Sequence, residues 1–250
     1  MKAVAEKVHI LAVETSAGPA SCALLRVEED RQTLLCTASV NTRLTHSQTL
    51  MPMVDDMLRN AGLSIADVDA VAVAAGPGSF TGVRIGVAAV KGLAFPEDLP
   101  CLPVSTLEAM AYRFVGLPMN CDIVAAMDAR CRQVYTALFS LQEGVLTRVT
   151  ADEAITLDEL APRLAARQNP ILAVGDGAAL CVAELGETVP RLRPAPVGLA
   201  DQHAVGVARA AVLLLKDGKA VSGDTLLPTY LRLPQAEREL RRRQAEKDVQ

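Results

Sequence analysis

Three short stretches of this chain carry the residues that could do chemistry. The densest is Gly76-Pro77-Gly78-Ser79-Phe80-Thr81-Gly82, which ends an apolar run and precedes a helical pattern. A strand that ends in glycines and feeds a helix presents free N–H groups and the positive end of the helix dipole, a setting that suits an anion. The spacing departs from both common phosphate loops. G-x-x-x-x-G-K-[ST] is absent, and the third glycine of G-x-G-x-x-G is replaced by Thr81. A tight turn into a close-packed helix explains the same residues without a ligand. The second stretch is Glu14-Thr15-Ser16-Ala17-Gly18-Pro19, an acid and two hydroxyls in the turn after the first apolar run. The third group is acidic: Asp128 before Ala129-Arg130, Asp176 between two glycines, and Asp201 ahead of a helix. A turn or a helix N-cap accounts for each of these without catalysis.

Other chemistry is thinly supplied, and no catalytic residue and no metal site is expected. The histidines His9, His46 and His203 form no i, i+4 pair, and H-E-x-x-H is absent. Ser79 does not fit G-x-S-x-G because position 77 is Pro77. The six cysteines contain no C-x-x-C and read as reduced, mostly buried apolar residues.

These residues need elements to hold them. Residues 8–13, 21–27 and 33–40 read as three strands of an antiparallel opening. A helix follows over residues 45–61, with Thr45 and Gln48 at capping-box spacing and Gly62 past its end. Pro52 within it predicts a kink or a start nearer Thr49. Residues 70–75 are wholly apolar, as in a central parallel strand, and a second helix spans residues 83–95. Further on, Ser105 caps a helix through Glu108, and residues 123–127 and 133–141 are strands joined by a turn. Thr156 and Glu159 open a helix to about Arg167. Residues 171–174 form a strand whose Gly-Asp-Gly turn leads into a helix through Leu185. Residues 191–198 read as a Pro-rich linker, and Asp201 caps a long helix to Lys216. From Gln235 to Gln250 the chain is polar and includes Arg241-Arg242-Arg243, as in a frayed or disordered tail.

Composition sets the limits. Half of the 250 residues are hydrophobic but only 3% are aromatic, with no Trp, so the core must be built from Ala, Val, Leu and Met. The formal net charge of −4 argues against autonomous nucleic-acid binding, which relies on Lys and Arg at phosphates. Residues 8–13 are too short a run for a signal peptide or a membrane span, and a cytoplasmic location is expected. In the second helix Gly82 and Gly86, like Ala88 and Gly92, stand four apart. Gly costs about 1 kcal/mol against Ala inside a helix, so closeness must return something, through internal packing or through a partner.

Several runs resemble the TsaB (YeaZ) family. They are Val13-Glu14-Thr15-Ser16, Thr45-His46-Ser47, the run from Gly76 through Val83-Arg84-Ile85-Gly86, Lys91-Gly92-Leu93-Ala94, Pro103-Val104-Ser105-Thr106-Leu107-Glu108, Asp128-Ala129-Arg130, Gly175-Asp176-Gly177 and Pro228-Thr229-Tyr230-Leu231-Arg232. The resemblance covers nearly the whole chain to about Arg232. It implies an α/β, two-lobed actin-like ATPase (ASKHA, ribonuclease H-like) fold. It also implies work in making N6-threonylcarbamoyladenosine at position 37 of tRNAs that read codons beginning with A. The implied partners are TsaD, which holds the active site, and TsaE, with a homodimer in isolation and tRNA met only through the complex. No cofactor of its own is expected; ATP and a metal belong to partner subunits. TsaD-type subunits carry His-x-x-x-His on the first helix, whereas here His46 is followed by Leu50.

On that basis the expected partner interface is Met51, Met53, Val54, Met57, Gly82, Arg84, Gly86, Ala89 and Val90. Glu14, Thr15, Ser16, Gly76 and Gly78 stand where actin-like ATPases hold nucleotide, although Pro19 shortens the hairpin there. The expected divisions are an N-terminal lobe over residues 1–103, a second lobe over 104–198, a helix and strand returning to the lobes over 199–232, and a polar tail over 233–250. The rival readings are an ATP-binding enzyme acting alone and a protease.

Overall fold

The computed structural model describes residues 7–29 and 31–232, so the tail read from Gln235 to Gln250 lies outside the described residues. Two sheets share one plan. The first comprises β1 (Val8–Glu14), β2 (Ala20–Glu28), β3 (Arg31–Val40), β4 (Ala70–Gly76) and β5 (Cys101–Ser105), in the order β3-β2-β1-β4-β5. Its first three strands are antiparallel, while β1, β4 and β5 run parallel. The second comprises β6 (Cys121–Asp128), β7 (Gln133–Gln142), β8 (Val145–Arg148), β10 (Ile171–Val174) and β11 (Leu192–Pro194), in the order β11-β10-β6-β7-β8. A short strand β9 (Glu153–Thr156) also pairs with β7. With β6 in the place of β1 and β10 in the place of β4, the strand order and directions repeat. One topology has been used twice.

Among the described residues six α-helices complete five layers: α1 (His46–Asn60), α2 (Phe80–Ala94), α3 (Thr106–Tyr112), α4 (Leu157–Ala165), α5 (Ala178–Leu185) and α6 (Ala204–Lys216). Strand alternation decides which layer each residue joins. Leu11 and Val13 of β1 face outward into a core with Leu50, Val54 and Met57 of α1 and Val83, Val87 and Val90 of α2. Ile10 and Ala12 face inward onto Ala204, Val207 and Ala211 of α6. On the second sheet, Val124 and Ala126 meet α4 and α5, while Ile123 and Ala125 meet Leu107 and Met110 of α3. Thus α3 follows the first sheet yet packs on the second, and α6 follows the second sheet yet packs on the first. The two helices cross between the lobes and join them. Small residues make this possible, because β4 is Val, Ala and Gly throughout and fully buried.

The boundaries correct several expectations. Helix α1 continues through Pro52, whose ring lies on the exposed side, and starts at His46 rather than near Thr49. Thr45 caps it, and its N–H donates to Gln48 Oε1 at 3.0 Å. Helix α2 starts at Phe80, three residues earlier than the pattern suggests, because the Ser79 hydroxyl accepts from the Gly82 amide at 3.3 Å. Helix α6 is capped by His203, whose Nδ1 accepts from Val205 N–H at 3.2 Å, and not by Asp201. The supposed linker at 191–198 supplies the edge strand β11. The strand expected to return after α6 is reduced to a bridge between Val221 and Cys101.

Candidate functional site between the lobes

The turns after β1, β4, β6 and β10 all open into one cleft of about 500 Å³. This is where open α/β sheets bind ligands, outside the carboxyl ends of the strands. Ser16, Gly78 and Ser79 line it from the first lobe, and Asp128, Arg130 and Asp176 from the second.

On the first-lobe side the two suspected loops are packed against each other. Ser79 N–H donates to the Ser16 carbonyl at 2.7 Å, and a side chain on Gly78 would stand 2.7 Å from Ser16. Thr15 Oγ1 donates to the Gly82 carbonyl at 2.8 Å. Glu14, 1% exposed, accepts from Ser16 N–H at 2.5 Å through Oε1, while Oε2 and the buried Ser16 hydroxyl have no hydrogen-bond partner. Burial pushes the Glu14 carboxyl up to about 7; the bond from Ser16 N–H opposes this and the charge of Asp176 adds to it. Glu14, Thr15, Ser16, Gly76 and Gly78 therefore come together, but as a packed floor rather than an open cradle.

The second-lobe side is looser. Asp128 accepts from Arg130 N–H at 2.7 Å, and the Arg130 guanidinium lies 3.4 Å from its other oxygen. Asp176 accepts from Gln202 Nε2 at 2.7 Å. The cleft walls raise its carboxyl above the usual range, chiefly by desolvation. Sequence reasoning left Tyr230, Arg232, Met127, Tyr135 and Gln202 out of this region. Only the run Pro228-Thr229-Tyr230-Leu231-Arg232 drew notice, as part of the resemblance.

Among the described residues no group of three or more His, Cys, Asp or Glu is placed to hold a metal ion. His46 is the first residue of α1, and its Nε2 lies 3.1 Å from the Gly18 carbonyl. One turn on, Leu50 is 1% exposed and belongs to the core.

The expected interface divides in two. Val54, Met57, Gly82, Gly86 and Val90 are buried and cannot meet a partner. The reason is internal closeness: a side chain on Gly82 would strike the Thr15 carbonyl, and one on Gly86 would stand 2.5 Å from Thr15 Oγ1. Met51 and Arg84 are exposed and Met53 and Ala89 half-buried. The other small pair of α2, Ala88 and Gly92, points outward, and nothing lies within 4 Å of a side chain at Gly92.

The duplicated sheets and the cleft between them define a two-lobed protein of the actin-like ATPase, ribonuclease H-like class. A family model described as TsaD, tRNA N6-adenosine threonylcarbamoyltransferase, matches residues 41–237. The TsaB protein of Bacillus subtilis, named for tRNA threonylcarbamoyladenosine biosynthesis, is 35% identical over 91% of this chain and 96% of its own length. The namesake in Haemophilus influenzae is 43% identical over 52% of this chain and 53% of its own. The solved structure of YeaZ from Pseudomonas aeruginosa superposes with a TM-score of 0.68 at 31% identity, covering 90% of this chain and 100% of that one. The chain belongs to the TsaB (YeaZ) family.

Proposed function

We propose that this chain is a non-catalytic subunit that binds TsaD and supports N6-threonylcarbamoylation of adenosine 37 in tRNAs reading codons that begin with A. The names of its relatives support the pathway. The observation that carries the division of labour is the turn from His46 to Leu50. Where TsaD-type subunits carry the second histidine of the pair, this chain has a leucine sealed into the core between α1 and the first sheet. A metal-ligating imidazole at that position would have to abandon the packing that holds α1.

The partner face is the outer side of α1 and α2. Ala88 and Gly92 let another backbone approach, and Met51, Met53, Arg84 and Ala89 frame them. In the absence of TsaD the same face would pair two copies of this chain. TsaE and tRNA join through TsaD, and ATP and a metal act on the partner subunits. Glu14, Thr15, Ser16, Gly76 and Gly78 are where a nucleotide would meet this chain if the complex admits one. A protease reading finds no support: the Ser79 hydroxyl caps α2 and the His46 ring is turned to the Gly18 carbonyl. No helix among the described residues is long and apolar enough to cross a membrane.

Reconstitution tests the reading. TsaD, TsaE, threonylcarbamoyl-adenylate and tRNA should form modified tRNA only when this chain is added, and the chain alone should not turn over ATP. Equal modification without it, or sustained ATP hydrolysis by the isolated chain, would overturn the assignment.

A further inference from the structure

We propose that residues 227–232 form a strap that ties the lobes together across the cleft and sets its width, with Phe80, Arg84 and Tyr230 as its buckle. The strap is anchored to the first lobe at two consecutive residues. Thr229 N–H donates to the Ala75 carbonyl at 2.7 Å, beside the end of β4. The Thr229 carbonyl fills the space that a side chain on Gly76 would need, so only glycine lets the strap lie flush there. The Tyr230 ring then stacks on Phe80, with centroids 5.2 Å apart and planes 29° from parallel. Arg84 closes the buckle: its guanidinium lies 3.8 Å from the Phe80 centroid, and its Nε donates to Tyr230 Oη at 2.8 Å.

Two residues later the strap reaches the other lobe. Arg232 Nη1 donates to the Ala129 carbonyl at 3.2 Å, in the hairpin between β6 and β7. Both Tyr230 and Arg232 line the cleft. With anchors on opposite lobes so close in sequence, the cleft cannot widen at this point without breaking the Arg232 contact or lifting Tyr230 from Phe80. The α3–α6 layer joins the lobes by buried packing, while the strap joins them through partly exposed rings and the guanidinium groups of Arg84 and Arg232. Ties of the second kind open first. The strap is therefore the adjustable link, and it couples cleft width to the first turn of α2.

Hydrogen exchange read by mass spectrometry on the full chain tests this. In the double variant Tyr230→Ala, Arg232→Ala, amides of residues 76–83 and 128–134 should exchange about tenfold faster, and those of residues 171–185 should not change. Tyr230→Phe keeps the stack and removes only the hydroxyl that Arg84 meets. It should speed exchange in residues 76–83 by a smaller factor, and it gives the answer if the double variant does not fold. Unchanged exchange at both turns in a folded variant, or acceleration spread equally into residues 171–185, overturns the strap.

Discussion

The two outer helix pairs occupy equivalent places on equivalent sheets, and they present different surfaces. On the first lobe, α1 and α2 are 15 residues each. Met51 on this side is exposed, as are Leu44 just before α1 and Phe95 just after α2, the last at 85%. On the second lobe, α4 and α5 have 9 and 8 residues and carry no exposed large apolar side chain. Their surroundings are tied by ion pairs instead, such as Arg163 with Glu153 and Arg132 with Glu184. Scattered apolar residues on a surface need no explanation. A set confined to one of two duplicated faces does, and it is what the partner face proposed above would leave exposed in the isolated chain. The comparison also separates the two sides of α2. Its inner glycines Gly82 and Gly86 are fixed by Thr15, and nothing lies within 4 Å of a side chain at the outer Gly92.

The largest effect should come from the inner side. Gly82→Val drives a side chain into the Thr15 backbone carbonyl, which cannot withdraw without moving the end of β1. Urea unfolding should show a loss at or beyond the upper end of the roughly 1–3 kcal/mol typical of overpacking. A loss under about 0.5 kcal/mol would mean that the inner stripe is as free as the outer one.

Next in size is a pH effect at the first-lobe turn, where Glu14 is buried. The folded pKa of Glu14, about 7, lies above its ordinary 4.5. Its stabilising contribution is therefore complete below about pH 4.5 and is lost as pH rises through 7, by roughly 3 kcal/mol. His203 works in the opposite sense. Burial, aided by Arg113, lowers it to about 4, so its contribution is present above about pH 6.5 and is lost as pH falls through 4. The two slopes offset one another in the wild type, and the difference from Glu14→Gln isolates the glutamate. That variant should gain on the wild type steadily between pH 4.5 and 7. A parallel pair of stability curves would contradict the buried, neutral carboxyl.

A smaller effect sharpens the outer side. Gly92→Ala adds a side chain into open space on a helix, so stability should rise by about 0.5–1 kcal/mol. Smaller still, Arg59→Ala removes only exposed pairs with Asp55 and Asp56 and should cost less than about 0.5 kcal/mol in thermal unfolding.

Much of this was legible in the sequence where a local rule decides structure. The capping pairs Thr45/Gln48 and Thr156/Glu159 mark true helix starts. The apolar run at β4 and the strand at β10 lie where periodicity puts them. Legibility failed where tertiary contact decides. Spacing places Gly82, Gly86, Ala88 and Gly92 on a small-residue helix, but only the position of Thr15 says which pair faces inward. The cleft floor could be named residue by residue, yet its packing of Ser79 on Ser16 depends on two turns more than 60 residues apart. Leu192 in β11 and Tyr230 in the strap belong to short irregular segments whose partners lie far away in sequence, and no periodic signal marks them.

The partner face is most directly tested by a matched pair of bulky substitutions at exposed alanines, Ala88→Trp on α2 and Ala179→Trp on α5. Each variant is first shown to unfold like the wild type, and its affinity for TsaD is then measured by titration calorimetry. Binding should be at least about tenfold weaker, or ~1.4 kcal/mol, for Ala88→Trp, and unchanged from wild type for Ala179→Trp. Equal affinity of the two folded variants, or a loss only at Ala179, would contradict this partner face.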